Sequence, residues 1–220
     1  MAAILPAILE QTKNAFRDKA SAITRIGGVT KIHVDFADGK FVPNRMLDIA
    51  EFDPLNPAFE WEAHLMIQSP GDFLDYQIAG FKKVIVHYEA FASPDDLRAA
   101  ALAITKLGLT PAVAINPGTE VGKLAECRVF SKEFTLMGVV PGFQGAPFVA
   151  ETYQRLNELR KLLPDAILEV DGSVKLHNVS DLARAGADLL VVGSGLWTDG
   201  NPGDQFLKLQ RSAQQAAASK

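Results

Sequence analysis

Apolar residues in this chain fall in short continuous runs rather than in strict alternation with polar ones. Eight runs, at 3–9, 30–36, 60–67, 82–88, 110–116, 134–140, 166–172 and 188–194, are rich in Ile, Val and Phe, and several end in Gly, Pro, Asp or Asn. Continuous hydrophobicity of this length suits strands covered on both faces, as in a parallel sheet. Amphipathic segments lie between the runs. One begins after Ser93, an N-cap residue, and closes at Gly108; another starts near Phe148 and stops at Pro164. From Gly39 to about Phe59 the chain reads mostly as loop, and the helix there is the least defined of the set. Strand and helix alternate eight times with no Ser/Gly-rich linker, which predicts a single (β/α)8 TIM barrel over residues 1–220. The Ala/Gln-rich tail from about residue 210 is expected to fray from the last helix.

Composition narrows the class. With 48% hydrophobic and 22% charged residues, the 220-residue chain can bury a core and is not a disordered segment. Lys plus Arg number 22 and Asp plus Glu 26, a net charge of −4, with a pI near 5.6 and no basic run, so nucleic acid is not an expected partner. Cys127 is the single thiol, which excludes an intramolecular disulfide and suits a reducing compartment. The N-terminal MAAILPAILE has no basic segment and is interrupted by Pro6, so neither a signal peptide nor a membrane span is predicted. A soluble, cytoplasmic protein is the expectation.

In such a barrel the reactive side chains sit at the C-terminal ends of the strands. His33 and Asp35 fall there in the second run, His64 in the third, His87 and Glu89 at the fourth, Asn116 at the fifth and Asp171 at the seventh. His177 lies outside this pattern and reads as a surface residue at a helix start. His33 and Asp35 stand two apart, hence on one face of a strand, and burying them beside Ile32, Val34 and Phe36 calls for a partner or a cation. The barrel is narrow enough for His64 and Asp171 to meet them from other walls. Two imidazoles and two carboxylates suit Zn(II), Fe(II), Mn(II) or Co(II) better than Mg or Ca, and spacing does not rank the four. Position alone fits equally well a set of core histidines hydrogen-bonded to carboxylates. Asp38, Gly39 and Lys40 read as a turn, His87 and Glu89 as structural residues without an evident partner, and Cys127 as a small buried hydrophobe.

A second group is glycine-rich. Gly142, Phe143, Gln144 and Gly145 follow the sixth run, Gly172 and Ser173 the seventh, and Gly193 and Ser194 the eighth. Glycine lets backbone N–H groups approach an anion, and loops after strands seven and eight recur as phosphate sites in barrels; the alternative is simple tight turns.

These residues belong to longer motifs. PAIL (6–9), IHVDFADGKFVPN (32–44), HLMI (64–67), VIVHYEA (84–90), INPGT (115–119), MGVVPGFQGAPF (137–148), EVDGS (169–173), AGAD (185–188) and VGSGLW (192–197) occur in this order. By them the chain resembles the ribulose-phosphate 3-epimerase family over most of its length, HVD with DGKFVPN being the specific part. The resemblance implies an isomerase of pentose phosphate metabolism that interconverts D-ribulose 5-phosphate and D-xylulose 5-phosphate. It implies one divalent transition metal on His33, Asp35, His64 and Asp171, with Asp35 and Asp171 as the acid/base pair and the metal stabilising an enediolate. By the same resemblance, His64 and the loops at Gly142, Phe143, Gln144, Gly145, Gly172, Ser173, Gly193 and Ser194 hold the sugar phosphate. Ala7, Met66 and Met137 line the pocket, although both methionines also suit ordinary core.

Departures from the family pattern bear on the substrate. Ala7 stands where Ser is usual, Ala37 where Met is, Gln144 and Ala146 where Gly and Gln are, and Ser173 where Gly is. Ser173 also looks like the allulose-6-phosphate 3-epimerase branch, which leaves a hexulose 6-phosphate open as substrate. A lyase such as a hexulose-phosphate synthase would not need both His33 and His64, and a non-catalytic phosphosugar-binding barrel would keep the loops. A homo-oligomer through exposed apolar helix faces is also left open.

Overall fold

A computed structural model of the chain describes residues 2–142, 145–198 and 200–218, with side chains through Ala216. Each apolar run forms a strand: β1 (Ala3–Ile8), β2 (Lys31–Ala37), β3 (Glu60–Met66), β4 (Lys83–His87), β5 (Thr110–Ile115), β6 (Glu133–Met137), β7 (Ile167–Asp171) and β8 (Leu189–Val192). All neighbours are parallel, and β8 pairs with β1 to close the barrel in chain order. The helices are α1 (Lys13–Ile23), α2 (Leu74–Ala79), α3 (Pro94–Lys106), α4 (Gly122–Glu126), α5 (Thr152–Leu162), α6 (Val179–Ala185) and α7 (Pro202–Ala218).

The local signals act as expected at α3. The Ser93 hydroxyl accepts the Asp96 N–H at 3.2 Å, Pro94 occupies the first turn, Asp95 and Asp96 face the positive end and Lys106 the negative end. One segment differs from expectation. Between β2 and β3 there is a 3-10 turn at Ile49–Glu51 rather than a helix, because Pro43, Pro54 and Pro57 interrupt the backbone ladder. Phe52 covers the sheet in the helix's place, with its ring centroid 4.5 Å from that of Phe16 and 5.1 Å from that of Phe36. Helix α7 runs to Ala218, with Ala213 and Ala216 buried. Gln210 fastens it to β1, accepting the Ile4 N–H and donating to the Ala2 carbonyl, both at 3.1 Å.

Outward-facing strand residues such as Val34, Phe36, Leu65, Val86, Leu136, Val170 and Leu190 pack under the helices in one large core. Burial of each such side chain contributes about 1.5–3 kcal/mol. The barrel interior is different. It holds two small apolar groups, Leu5, Ala7, Leu189 and Val191 on one wall and Ile85, Ala112 and Ala114 on the other, with buried polar side chains between them.

Candidate metal centre and cleft

Successive side chains of a strand alternate sides, so the residues two apart on β2, β3, β4 and β7 share the barrel interior. Asp35 pairs in register with His64, and His33 with Glu62. The side chains of β7 reach the same point across the barrel. His64 Nδ1 lies 2.8 Å from Asp35 Oδ1 and 3.3 Å from Asp171 Oδ2, and His33 Nε2 lies 3.2 Å and 3.9 Å from the same carboxylates. One ligand atom from each of the four residues falls within 4.8 Å of the others, and both histidines are fully buried.

Electrostatics shows what this cluster lacks. Burial opposes a charge on His33, but Asp35, Glu62 and Asp171 outweigh it and raise its proton affinity well above the imidazole range. On His64 burial is again opposed, by Asp171 and Asp35, and the pKa rises to about 9. Burial would raise the Asp35 pKa, but His33 and His64 hold it well below the carboxylate range. Among the described residues no Lys or Arg pairs with Asp35 or Asp171, so protons on the imidazoles are the cationic partners at hand. The donor set therefore fits a divalent transition cation, which would displace those protons. Glu62 strengthens the fit: its Oε1 lies 2.6 Å from His33 Nδ1, leaving Nε2 aimed at the centre, the usual support of a metal-bound imidazole.

Above this floor opens a cleft lined by Ala7, Asp35, Met66, Met137, Gly142, Gly145, Asp171, Gly172, Ser173, Gly193 and Ser194. The structure thus brings together the residues expected at the site, apart from Phe143 and Gln144, which lie outside the described residues. At Gly172, with φ +116°, an added Cβ would sit 2.6 Å from Val139 Cγ2, so only glycine fits. Ser173 adopts φ +51° and its hydroxyl donates to the Ala146 carbonyl, tying the loop after β7 to the loop after β6. Its side chain is thereby committed to the wall. Asp38 forms the expected turn, accepting the N–H groups of Lys40, Phe41 and Gln68 at 2.8 to 3.0 Å.

Two features go beyond what the sequence reading anticipated. His87 and Glu89, for which the sequence offers no clear partner, find one in the barrel: His87 Nε2 lies 2.8 Å from His64 Nε2, and its Nδ1 faces Glu89 Oε2 at 3.5 Å. Burial holds the His87 pKa below the imidazole range, whereas Glu89 stays below the carboxylate range despite burial because His87, Thr119 and the Asn116 N–H favour its anion. Deeper in the barrel, Lys83 Nζ contacts Glu62 at 2.8 Å, Glu133 at 3.1 Å and Glu169 at 2.9 Å. The signal for this layer was present as charged residues inside apolar runs, two positions before His64 and Asp171 and four before His87. Cys127 is buried as expected, and burial pushes its thiol pKa up to about 12.

Fold and site together define a (β/α)8 barrel whose mouth sets a candidate metal cluster beside glycine-rich loops. Residues 3–197 match the family described as the ribulose-phosphate 3 epimerase family, and the chain belongs to it, a family of isomerases acting on carbohydrates. The ribulose-phosphate 3-epimerase of Aquifex aeolicus is 31% identical over 204 residues, covering 90% of each chain. The cytoplasmic isoform from Oryza sativa subsp. japonica is 30% identical, covering 97% of this chain and 95% of its own. Among solved structures, 3-hexulose-6-phosphate synthase from Salmonella typhimurium superposes with a TM-score of 0.66 at 15% identity, covering 97% of this chain and 99% of that one, a likeness of fold alone. Among the described residues no helix is long and apolar enough to cross a membrane.

Proposed function

We propose that the protein is a metal-dependent ketose-phosphate 3-epimerase that interconverts D-ribulose 5-phosphate and D-xylulose 5-phosphate. The observation that carries this reading is the placement of Asp35 and Asp171 on β2 and β7, both lining the cleft and both within 3.3 Å of one imidazole nitrogen on its floor. Inverting a carbon next to a carbonyl requires a proton to leave one face and a proton to arrive on the other. A single base cannot reach both faces of a substrate held in place; two carboxylates from different strands can. In one direction Asp35 takes the C3 proton and Asp171 delivers one to the opposite face, and in the reverse direction the roles exchange.

His33, Asp35, His64 and Asp171 would hold one Zn(II), Fe(II), Mn(II) or Co(II) ion. When bound, that ion supplies Lewis acidity toward the carbonyl and hydroxyl oxygens beside C3. The backbone at Gly172, Ser173, Gly193 and Ser194 would grip the phosphate, since these positions bring N–H groups to the cleft wall without bulky side chains. Gly142 and Gly145 close the cleft from the loop after β6, and Met66 and Met137 present apolar surface to the reacting carbons. With a net charge of −4 the protein must attract an anionic sugar phosphate through such local dipoles and the metal rather than through its overall field. The lone buried thiol suits a cytoplasmic setting.

The test is exchange of the substrate C3 proton with deuterated solvent, followed by NMR. The metal-loaded protein is expected to exchange it on ribulose 5-phosphate, and full activity in either Asp35→Asn or Asp171→Asn would overturn the two-carboxylate reading. Ser173 on the cleft wall supports a second reading, a hexulose 6-phosphate, because Ser at this place looks like the allulose-6-phosphate 3-epimerase branch. Faster exchange on allulose 6-phosphate in the same assay would select it.

A further inference from the structure

We infer that His87 is a positioning residue for the metal centre: held by Glu89, it fixes the proton of His64 on Nε2 so that Nδ1 is free to bind the ion. The assignment rests on the reading of His33, Asp35, His64 and Asp171 as metal ligands. His64 and His87 lie with ring planes 24° apart, centroids 5.0 Å apart and Nε2 atoms 2.8 Å apart. With the two nitrogens that much closer than the centroids, the rings meet edge to edge, and one proton must lie between them.

Its direction follows from the far end of the chain. If His87 donated to His64, neutral His64 would carry its proton on Nδ1, pointing at Asp35 and Asp171, and could not be a ligand there. For His64 to bind through Nδ1, its Nε2–H must donate to His87 Nε2, and His87 must carry its own proton on Nδ1. That proton faces Glu89 Oε2 at 3.5 Å, and His87 Nδ1 and Glu89 Oε2 are both buried with no closer partner among the described residues.

Glu89 cannot turn away. Its Oε1 accepts the Asn116 N–H at 2.8 Å and the Thr119 hydroxyl, so Oε2 is left facing the imidazole. Two hydrogen-bond donors on the loop after β5 thus set the tautomer of a histidine on β3, with no group changing charge. Phe41, whose ring centroid is 4.7 Å from that of His87, packs on the imidazole.

The test exploits the pinned Oε1. In Glu89→Gln the amide oxygen must still meet the Asn116 and Thr119 donors, which turns the amide NH2 toward His87 Nδ1 and reverses the chain. Cobalt(II) affinity of the full-length protein, read by its visible spectrum, is expected to fall about 10–100-fold in Glu89→Gln and in His87→Leu. It should fall less in Glu89→Ala, which removes the acceptor without installing a donor, and less in His87→Gln, whose amide oxygen can accept from His64. In zinc-loaded parent protein labelled with 15N-histidine, His64 is expected to show metal on Nδ1 and a proton on Nε2. Folded Glu89→Gln that binds cobalt as tightly as the parent, or metal on His64 Nε2, overturns the assignment alone. A parent protein that binds neither cobalt nor zinc overturns it together with the metal reading.

Discussion

Two layers of buried charge sit one above the other in this barrel, and they balance that charge in different ways. In the lower layer Lys83 stands among Glu62, Glu133 and Glu169, each within 3.1 Å of its ammonium group. Burial would lower the Lys83 pKa, but the three carboxylates raise it instead, so the cation is permanent. In the upper layer Asp35 and Asp171 have, among the described residues, only His33 and His64 as ion-pair partners. An imidazole is a weaker and removable cation, so the upper layer is the one prepared to exchange protons for a metal. Glu62 connects the two, contacting Lys83 below and His33 above. On the proposed reading, buried carboxylates in one barrel serve structure or chemistry according to whether the chain supplies their counter-ion.

Substitutions can break this contrast, and the largest effect belongs to the upper layer. Asp171→Asn is expected to lower turnover by at least about 10³-fold in the C3 exchange assay, with a much smaller effect on urea unfolding, because only imidazoles lose a partner. Lys83→Met is expected to do the reverse, leaving three carboxylates without their cation and costing about 3–5 kcal/mol in urea unfolding. Equal stability losses in the two variants would erase the distinction. Metal sharpens it next: saturating zinc at about 100 times its dissociation constant should stabilise the parent by roughly 2.7 kcal/mol, and Asp171→Asn by much less.

The smallest effect lies at the rim. Partial burial disfavours the Asp38 charge, but the N–H groups of Phe41, Lys40 and Gln68 hold its pKa below the usual carboxylate value. A lowered folded-state pKa gives stability above the unfolded pKa, near 4, that is lost as pH falls through the folded value. Asp38→Ala should therefore cost about 1 kcal/mol at neutral pH, discounted for its exposure, and the difference from the parent should shrink below about pH 4. Denaturant titrations at pH 7 and pH 3 check this.

Much of this molecule was legible in sequence. Continuous apolar runs determined eight strands because a parallel strand is covered on both sides, and Ser93 and Pro164 bounded helices because caps and prolines act locally. His33, Asp35, His64 and Asp171 could be selected because strand ends in a barrel converge, and the glycines after β6, β7 and β8 could be placed at the same mouth. The crossover between β2 and β3 was less readable, since Phe52 covers the sheet through contacts with Phe16 and Phe36 rather than through any helical period. The anchoring of α7 was also hidden, since it comes from Gln210 and from contacts with β1 and α6 rather than from any local signal.

Which residues would face each other inside the barrel only the tertiary structure decided. Glu62, Lys83, Glu133 and Glu169 come from four strands, and His87 reaches His64 only once β3 and β4 pair in register. Sequence determines periodicity, because alternation and capping are properties of a few adjacent residues. The pairing of charges depends on distances between residues far apart in the chain, and those exist only once the strands have paired in register around the barrel.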